Sequence, residues 1–431
     1  MSALAESAES RHEQADDSRR LLPPAGSAPS LAAHQGRYGP LPALRGESAA
    51  LIAAVEASGL RGRGGAGFPT ARKLAAVAAG RNAVVVANGV EGEPASHKDA
   101  LLLRINPQLV LDGAVAAAAA VGAARIIVAV ARGSSAAASV ASAIAARAES
   151  GERIPIELAE APARFVTGEE TALVQWLNGR PAKPAFVPPR PYERGVGGRP
   201  TLVQNVETLA GIALIARFGP AWFRALGSAE EPGTVLLTLT GAVARAGVAE
   251  VESGTSLRAV LGPLDNLPAR PQAVLVGGYF GTWISAAGAL DAPLCAAGLR
   301  PYGATPGTRS LAVLPHTSCG LVETARVAAY LARESAGQCG PCVFGLAAMT
   351  AAMDSIARCD GSARDAVLRL RRLSPQITGR GACAHPNGAT RLVESALAVF
   401  ADELGHHLAG HCTARPGPAL LPIPAASEVW R

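Results

Sequence analysis

The chain has 431 residues and carries 40 basic against 34 acidic side chains, a net charge of +6; that length allows two to four domains. The basic residues are scattered rather than clustered, so no nucleic-acid groove is marked. Hydrophobic residues make up 49% of the chain, yet no run reaches the ~18 uninterrupted apolar residues of a spanning helix. Ala114 to Val130 comes nearest and is broken by Gly122 and Arg125, so no transmembrane segment is expected.

Residues 1–35 are rich in Ser, Ala and charge, contain Pro23-Pro24 and lack an apolar signal-peptide core. They read as a disordered tail on a cytoplasmic protein. From 36 to about 230 helical patterns alternate with short strands, as in an α/β layer. Within this block Gly59 to Gly67 packs five glycines and two arginines into nine residues, with no acid among them. Glycine reaches backbone conformations closed to other residues and lets a ligand come close. Successive N–H groups can cup an anion, and Arg61 and Arg63 add forked donors. The expectation is a nucleotide-phosphate loop. Gly62-Arg63-Gly64-Gly65-Ala66-Gly67 has the Gly-x-Gly-x-x-Gly spacing, but the segment before it, Leu51 to Ser58, reads as helix. The ordinary dinucleotide fingerprint follows a strand, and a Walker A loop needs Gly-Lys-Ser/Thr, so neither standard mode applies.

Ala83 to Ala87 is the first strand and runs into Asn88-Gly89-Val90-Glu91-Gly92-Glu93-Pro94, where open α/β sheets place ligands. An Ala-rich helix, Asp112 to Gly122, leads to a second strand, Arg125 to Val130. Thr167-Gly168-Glu169-Glu170-Thr171 puts two acids at a helix start, and Gln204-Asn205 puts two amides before another. Such residues cap helices as often as they bind ligands.

Val235 to Val243 changes the texture to β-branched alternation, with a further strand at Ala273 to Gly278, and marks a small β-rich domain over 231–316. From 317 to 431 four stretches show helical spacing: Val322 to Leu331, Gly345 to Ile356, Asp365 to Leu373 and Gly388 to Leu404. They read as a four-helix bundle. All seven cysteines fall in the last third of the chain, a pattern better suited to a metal or cluster than to disulfides in a reducing compartment. Cys339-Gly340-Pro341-Cys342 with Cys383 is the strongest set. His406, His407 and His411 with Cys412 read first as a polar helix end, and Cys295 and Cys319 as small core residues.

Taken in order, the glycine loop, Gly168-Glu169-Glu170-Thr171-Ala172-Leu173, Asn205-Val206-Glu207-Thr208-Leu209 and the cysteine set resemble one family from about Leu51 to Leu404. It is the flavin- and NADH-binding subunit of respiratory complex I, shared with soluble NAD-linked hydrogenases and formate dehydrogenases. The resemblance implies an FMN-binding α/β domain, a ubiquitin-like β-grasp domain and a helical bundle holding a [4Fe–4S] cluster. It implies a flavin-phosphate site at Gly62, Arg63, Gly64 and Gly67 with Lys73 as a point charge. Asn88, Glu91, Gly168, Glu169, Gln204 and Asn205 would line the rest of the flavin. Phe68, Glu93 and Glu170 would face the nicotinamide nucleotide. A hydride would enter the flavin, and single electrons would leave through an iron–sulfur centre to a ferredoxin-like or other electron-transfer protein.

Several positions depart from the family pattern. Val90 stands for an Asp, Ala76 for an aromatic, and Val187-Pro188-Pro189-Arg190-Pro191 replaces Lys-Pro-Pro-Phe-Pro. A stacking ring and a charged phosphate contact are each worth about 1–3 kcal/mol, so their loss predicts NADH binding weaker by a hundredfold or more, unless Arg190 pairs a phosphate instead. Ala336 stands at the first ligand position of Cys-x2-Cys-x2-Cys, leaving Cys339, Cys342 and Cys383. A [4Fe–4S] cluster normally takes four thiolates. Three outcomes are open: a [4Fe–4S] cluster with a substitute ligand such as His385 or an exogenous one, a [3Fe–4S] cluster, or a site drifted to zinc. Two functions remain, a flavin oxidoreductase and a noncatalytic electron-transfer or scaffold protein with a zinc or vestigial metal site.

Overall fold

The structure, a computed structural model, describes residues 19–24, 26–27, 29–42, 48–262, 266–415, 417–424 and 428–430. Its first layer is a parallel sheet of β1 (Ala83–Gly89), β2 (Ala123–Ala131), β3 (Ile156–Ala161) and β4 (Thr201–Asn205), in the order β3-β2-β1-β4. Val84, Val85 and Val86 of β1 are buried on both faces, as an inner strand covered by helices on each side requires. Helices α1 (Leu31–Tyr38), α2 (Ser48–Ser58), α3 (Thr70–Ala78), α4 (Lys98–Ile105), α5 (Pro107–Val121), α6 (Ala137–Glu149), α7 (Glu170–Leu177) and α8 (Val206–Arg224) surround it. The alanines of α5 let it pack close to α8: a Cβ on Gly113 would lie 1.8 Å from the Leu209 carbonyl oxygen. Helix α5 opens on Pro107 and ends at Gly122 with φ 62°, the usual start and stop for a helix.

Among the described residues, α8 alone is a single helix long and apolar enough to cross a membrane. It serves instead as the core helix of this layer, and it breaks at Gly219 (φ 81°) before Pro220.

The N-terminal segment differs from the tail expected of it; residues 1–18 lie outside the described part. Glu250 receives the Arg20 and Leu21 amides at 2.7 and 3.0 Å, and the Arg20 guanidinium lies 3.7 Å from the Trp222 ring centroid. In α1, His34 meets Asp112 of α5 at 2.5 Å, and Asp112 also takes Arg147 and Arg217. Composition hid this, because the segment's few anchoring residues are spread among Ser and Ala.

The second layer is a five-stranded mixed sheet of β5 (Thr234–Gly241), β6 (Gly247–Glu252), β7 (Pro271–Val276), β8 (Thr282–Ser285) and β9 (Ser310–Pro315), ordered β6-β5-β9-β7-β8. Only β5 and β9 pair in parallel. Beyond it pack α9 (Gly320–Arg333), α10 (Ala347–Ala357), α11 (Ala363–Ile377), α12 (His385–Val399) and α13 (Ala401–Leu408), around Leu321, Leu331, Met349, Met353, Leu370 and Leu392. The stretch read as one helix from Gly388 to Leu404 is broken at Phe400 (φ −103°, ψ 34°). The Phe400 ring fills the space over Gly320 and meets Trp283 edge-on at 5.3 Å, a tertiary contact that hydrophobic spacing cannot register.

Candidate functional site

In the order β3-β2-β1-β4 the chain reverses direction across the sheet between β1 and β4. A crevice opens there beyond the carboxyl ends of the strands, the place where open α/β sheets receive ligands. Four segments meet at it: the glycine loop ahead of α3, the 88–97 loop after β1, the start of α7, and the start of α8. Their contacts fix the meeting. A Cβ on Gly64 would lie 3.3 Å from the Asn205 Cβ, and one on Gly168 would lie 2.4 Å from the Val90 carbonyl oxygen. Asn88 Nδ2 donates to the Gly168 carbonyl at 2.8 Å, and Lys73 Nζ meets Glu170 Oε2 at 2.7 Å. The glycine loop thus sits beside the positive dipole ends of two helices, a favourable setting for phosphate.

The loop itself is held by few bonds. Gly62 N–H donates to the Phe68 carbonyl at 2.8 Å, and Arg61 Nε donates to the Gly67 carbonyl at 2.9 Å. Gly65 (φ 111°) and Gly67 (φ 61°) occupy backbone territory that side chains disfavour. Residues 63–66 form a turn, and among the described residues no acceptor within ordinary hydrogen-bond geometry takes the amides of Gly64, Gly65 or Ala66, so these donors remain for an anion.

Several residues expected to touch ligand are already engaged with protein. Glu91 receives the Asp99 and Ala100 amides at 3.2 and 3.1 Å, and Glu169 receives those of Thr171 and Ala172 at 3.0 Å each. Asn205 Oδ1 accepts from the Glu207 amide at 3.0 Å, while its Nδ2 donates to Asp99 at 2.7 Å. These three side chains cap α4, α7 and α8. Arg63 turns inward rather than toward the loop's open side: its amide donates to Thr208 Oγ1 at 2.8 Å, and its guanidinium, buried, donates to the Pro232 carbonyl at 3.0 Å. Gln204 is buried in β4. Phe68 stands 53% exposed at the crevice mouth. Arg190 is exposed, and its amide donates to Glu193 within its own loop at 2.8 Å.

Beneath the loop lies a charge cluster that the sequence did not disclose. Lys98 is buried, 2.7 Å from Asp99 and 2.9 Å from Glu207, and Glu231 pairs with Arg309 at 2.9 Å close to Arg63. Burial pushes Asp99 up, toward about 7, against the pull of the Lys98 charge. The adjacent pair Lys98-Asp99, just beyond two acids, was the available signal. Glu93 is buried too, and desolvation raises it to about 7 although the Tyr279 and Ala95 amides donate to it at 2.7 and 3.2 Å.

The cysteine set forms a second site. Cys339, Cys342 and Cys383 line one cavity of about 270 Å³, counting its open mouth, together with Ala336, Gln338, Pro184 and His385. Cys342 is buried, and burial raises its thiol to about 12 and that of Cys383 to about 11. His385 Nε2 lies 2.7 Å from the Leu331 carbonyl, which can only accept, so this nitrogen carries the ring proton. Its Nδ1 is buried with no partner among the described residues, a bare lone pair beside a cavity whose fourth corner is only a methyl, Ala336. No three donors of this set, all of them described residues, draw within 4.8 Å of one another, so a single zinc ion finds no preformed shell here. Three thiols and an orphaned imidazole around a cavity fit a larger cluster.

Two family models match the chain, one over each region. Residues 55–214 match the Nuo51 FMN-binding domain, and residues 323–407 match the NADH-ubiquinone oxidoreductase-F iron-sulfur binding region. The F subunit of the NADH-quinone oxidoreductase of Streptomyces coelicolor is 33% identical over 391 residues, covering 88% of this chain and 87% of that protein. Its Salmonella typhimurium counterpart is 33% identical over 375 residues, covering 82% and 83%. Among solved structures, an NAD+-reducing [NiFe]-hydrogenase in the H2-reduced state superposes with a TM-score of 0.77 at 32% identity, over 84% of this chain. The chain spans 63% of that hydrogenase chain.

Proposed function

The chain belongs to the family of NADH-quinone oxidoreductase F subunits, and we propose that its two sites form one electron path, from NADH through FMN to an iron–sulfur cluster and on to a partner protein. When bound, FMN supplies the exchange between a two-electron hydride and single electrons. The observation that carries the reading is the β1/β4 switch point, where the glycine loop meets the start of α8 and Lys73 of α3 meets the start of α7. In this reading the amides of Gly64 to Ala66, with Gly62, Arg63 and Gly67 shaping the loop and Lys73 as point charge, hold the flavin phosphate. Lys73 leaves Glu170 to do so. Asn88, Glu91, Gly168, Glu169, Gln204 and Asn205 form the walls, and the capping bonds of Glu91, Glu169 and Asn205 keep those walls rigid. Phe68, Glu93 and Glu170 flank the nicotinamide, and Arg190 pairs a nucleotide phosphate.

We assign residues 36–230 to the FMN- and NAD-binding domain, 231–316 to a β-grasp domain and 317–431 to the helical region with the cluster. The mixed five-stranded sheet with its single parallel pair supports the second assignment. Cys339, Cys342 and Cys383 hold the cluster, and His385 Nδ1 is its fourth ligand in place of the thiolate missing at Ala336. Val343 (45%) and Phe344 (75%), exposed beside Cys342, suit the docking of a ferredoxin-like acceptor, as expected of a soluble cytoplasmic module.

Anaerobic purification tests the whole reading. Flavin absorbance should copurify with roughly three to four irons per chain, and NADH should bleach the flavin. Ala336→Cys should slow the loss of iron in air. A colourless protein that binds no added FMN would sink the flavin assignment; stoichiometric zinc without iron in the Cys383 cavity would sink the cluster assignment.

A further inference from the structure

Four potential metal ligands converge elsewhere in the helical region, and neither the flavin nor the cluster uses them. Cys319 sits at the N-cap of α9, Glu403 and His407 lie one turn apart on α13, and Cys412 follows that helix. One donor atom from each lies within 4.8 Å of all the others. His407 is fully buried and Cys319 is buried, at 0% and 7% exposure, while Cys412 is half-buried. His406 and His411, which the sequence grouped with them, are exposed and meet each other edge-on at 5.1 Å instead.

We propose that Cys319, Glu403, His407 and Cys412 bind one zinc ion, which ties the C-terminal segment to the start of α9. Two of the donor spacings match edges of a tetrahedral shell, and the rest lie within 4.8 Å. With Zn–S near 2.3 Å and Zn–N near 2.0 Å, a tetrahedral S···N edge is about 3.5 Å and an N···O edge about 3.3 Å. Cys319 Sγ lies 3.5 Å from His407 Nε2, and Glu403 Oε1 lies 3.1 Å from the same nitrogen.

The surrounding bonds orient the donors as ligands require. His407 Nδ1 lies 2.8 Å from the Ile356 carbonyl, which can only accept. The ring proton is therefore on Nδ1, and the Nε2 lone pair points into the group. Glu403 is fixed by Thr413, whose amide donates to Oε1 at 2.9 Å and whose hydroxyl donates to Oε2. Backbone and hydroxyl partners of this kind hold ligands in place at structural zinc sites. Two thiolates, an imidazole and a carboxylate form a closed shell without an open position, so the ion is structural. Binding releases the two thiol protons, and no electron changes hands. The staple joins residues 319 and 412, from which the chain runs back across α9, where the Leu420 and Leu421 amides donate to Glu323 at 3.1 Å each.

The test is metal analysis of the anaerobically purified full-length protein, with variants that separate the two metal sites. One zinc per chain is expected beside the iron. Cys412→Ser and His407→Gln should each lose the zinc and keep flavin and iron, whereas Cys339→Ser should lose iron and keep zinc. Because His407 is fully buried, the half-buried Cys412 carries the decision if the His407 variant misfolds. Cobalt(II) replacing the ion should show tetrahedral ligand-field bands and thiolate charge transfer, both diminished by Cys412→Ser. Three outcomes overturn the proposal: a folded, flavin-containing protein that takes up neither zinc nor cobalt at this site, zinc retained in Cys412→Ser but lost in Cys339→Ser, or a Cys319–Cys412 disulfide in the anaerobic protein.

Discussion

A single methylene decides access to the flavin loop. Gly64 faces Asn205 with room for at most a tight Cβ contact at 3.3 Å, so Gly64→Val must push the loop away from the helix α8 start. FMN affinity should fall tenfold or more while the protein stays folded, as read by titration of flavin fluorescence; unchanged affinity would remove the loop from the phosphate site. The dinucleotide side is governed by what its residues lack. Val187 and Arg190 are exposed on the loop flanking the crevice, and Ala76 on α3 offers no ring. Val187→Lys combined with Arg190→Phe restores a charge and a stacking face, each worth about 1–3 kcal/mol. The apparent NADH affinity should rise at least tenfold in rapid-mixing measurements of flavin bleaching. Tight, micromolar NADH binding by the unaltered protein would show that Arg190 already does this work.

At the scale of elements, helix α1 depends on one carboxylate. Burial would raise Asp112, but the His34 hydrogen bond and the Arg147 and Arg217 charges outweigh it and hold the group below the usual carboxylate range. A depressed acid stabilises the fold at every pH above its unfolded value near 4, and that stabilisation is lost as pH falls below it. Asp112→Asn leaves two buried guanidiniums facing an amide and should cost about 3–5 kcal/mol in denaturant titrations at neutral pH, with the difference from wild type shrinking in acid. An equal difference at both pH values would mean that packing, not charge, docks α1. None of this was legible in composition, because a docked segment held by His34, Arg20 and Tyr38 reads locally as a polar tail. Strands β1 and β2 were legible because Val84 to Val86 and Ile126 to Val130 are continuous apolar runs. The glycine loop was legible because its density of glycine has no other local use. The inward turn of Arg63 was not, since its partners Thr208, Glu231 and Pro232 lie more than a hundred residues away in sequence. For the same reason Cys319 was taken for core filling: its partners at 403, 407 and 412 are brought to it only by the packing of α13 against α10, α11 and α12.

At the scale of the whole molecule, Glu93 joins the two layers. It leaves the β1 loop of the parallel sheet and accepts the Tyr279 amide from the turn between β7 and β8, while the Tyr279 hydroxyl donates to the Pro422 carbonyl of the C-terminal segment. A Cβ on Gly278 would lie 2.5 Å from the Glu93 carboxylate, so the layers touch here with no room for a wider side chain. Desolvation raises Glu93 to about 7 in the folded protein, whereas an unfolded glutamate titrates near 4.3. Between those values the folded state binds more protons than the unfolded one. Stability from this group is therefore greatest below about pH 4 and declines as pH rises to 7, after which it is flat; the whole excursion is about 4 kcal/mol. This slope opposes that of Asp112, which titrates lower, so the two can be separated by pH. Glu93→Gln keeps an acceptor for the Tyr279 amide and cannot ionise. The variant should lose the decline between pH 5 and 7 and become the more stable protein at pH 7.5, as measured by thermal melts across that range. Parallel curves for the two proteins would mean that water reaches the carboxylate and that the contact between the layers is looser than the Gly278 approach requires.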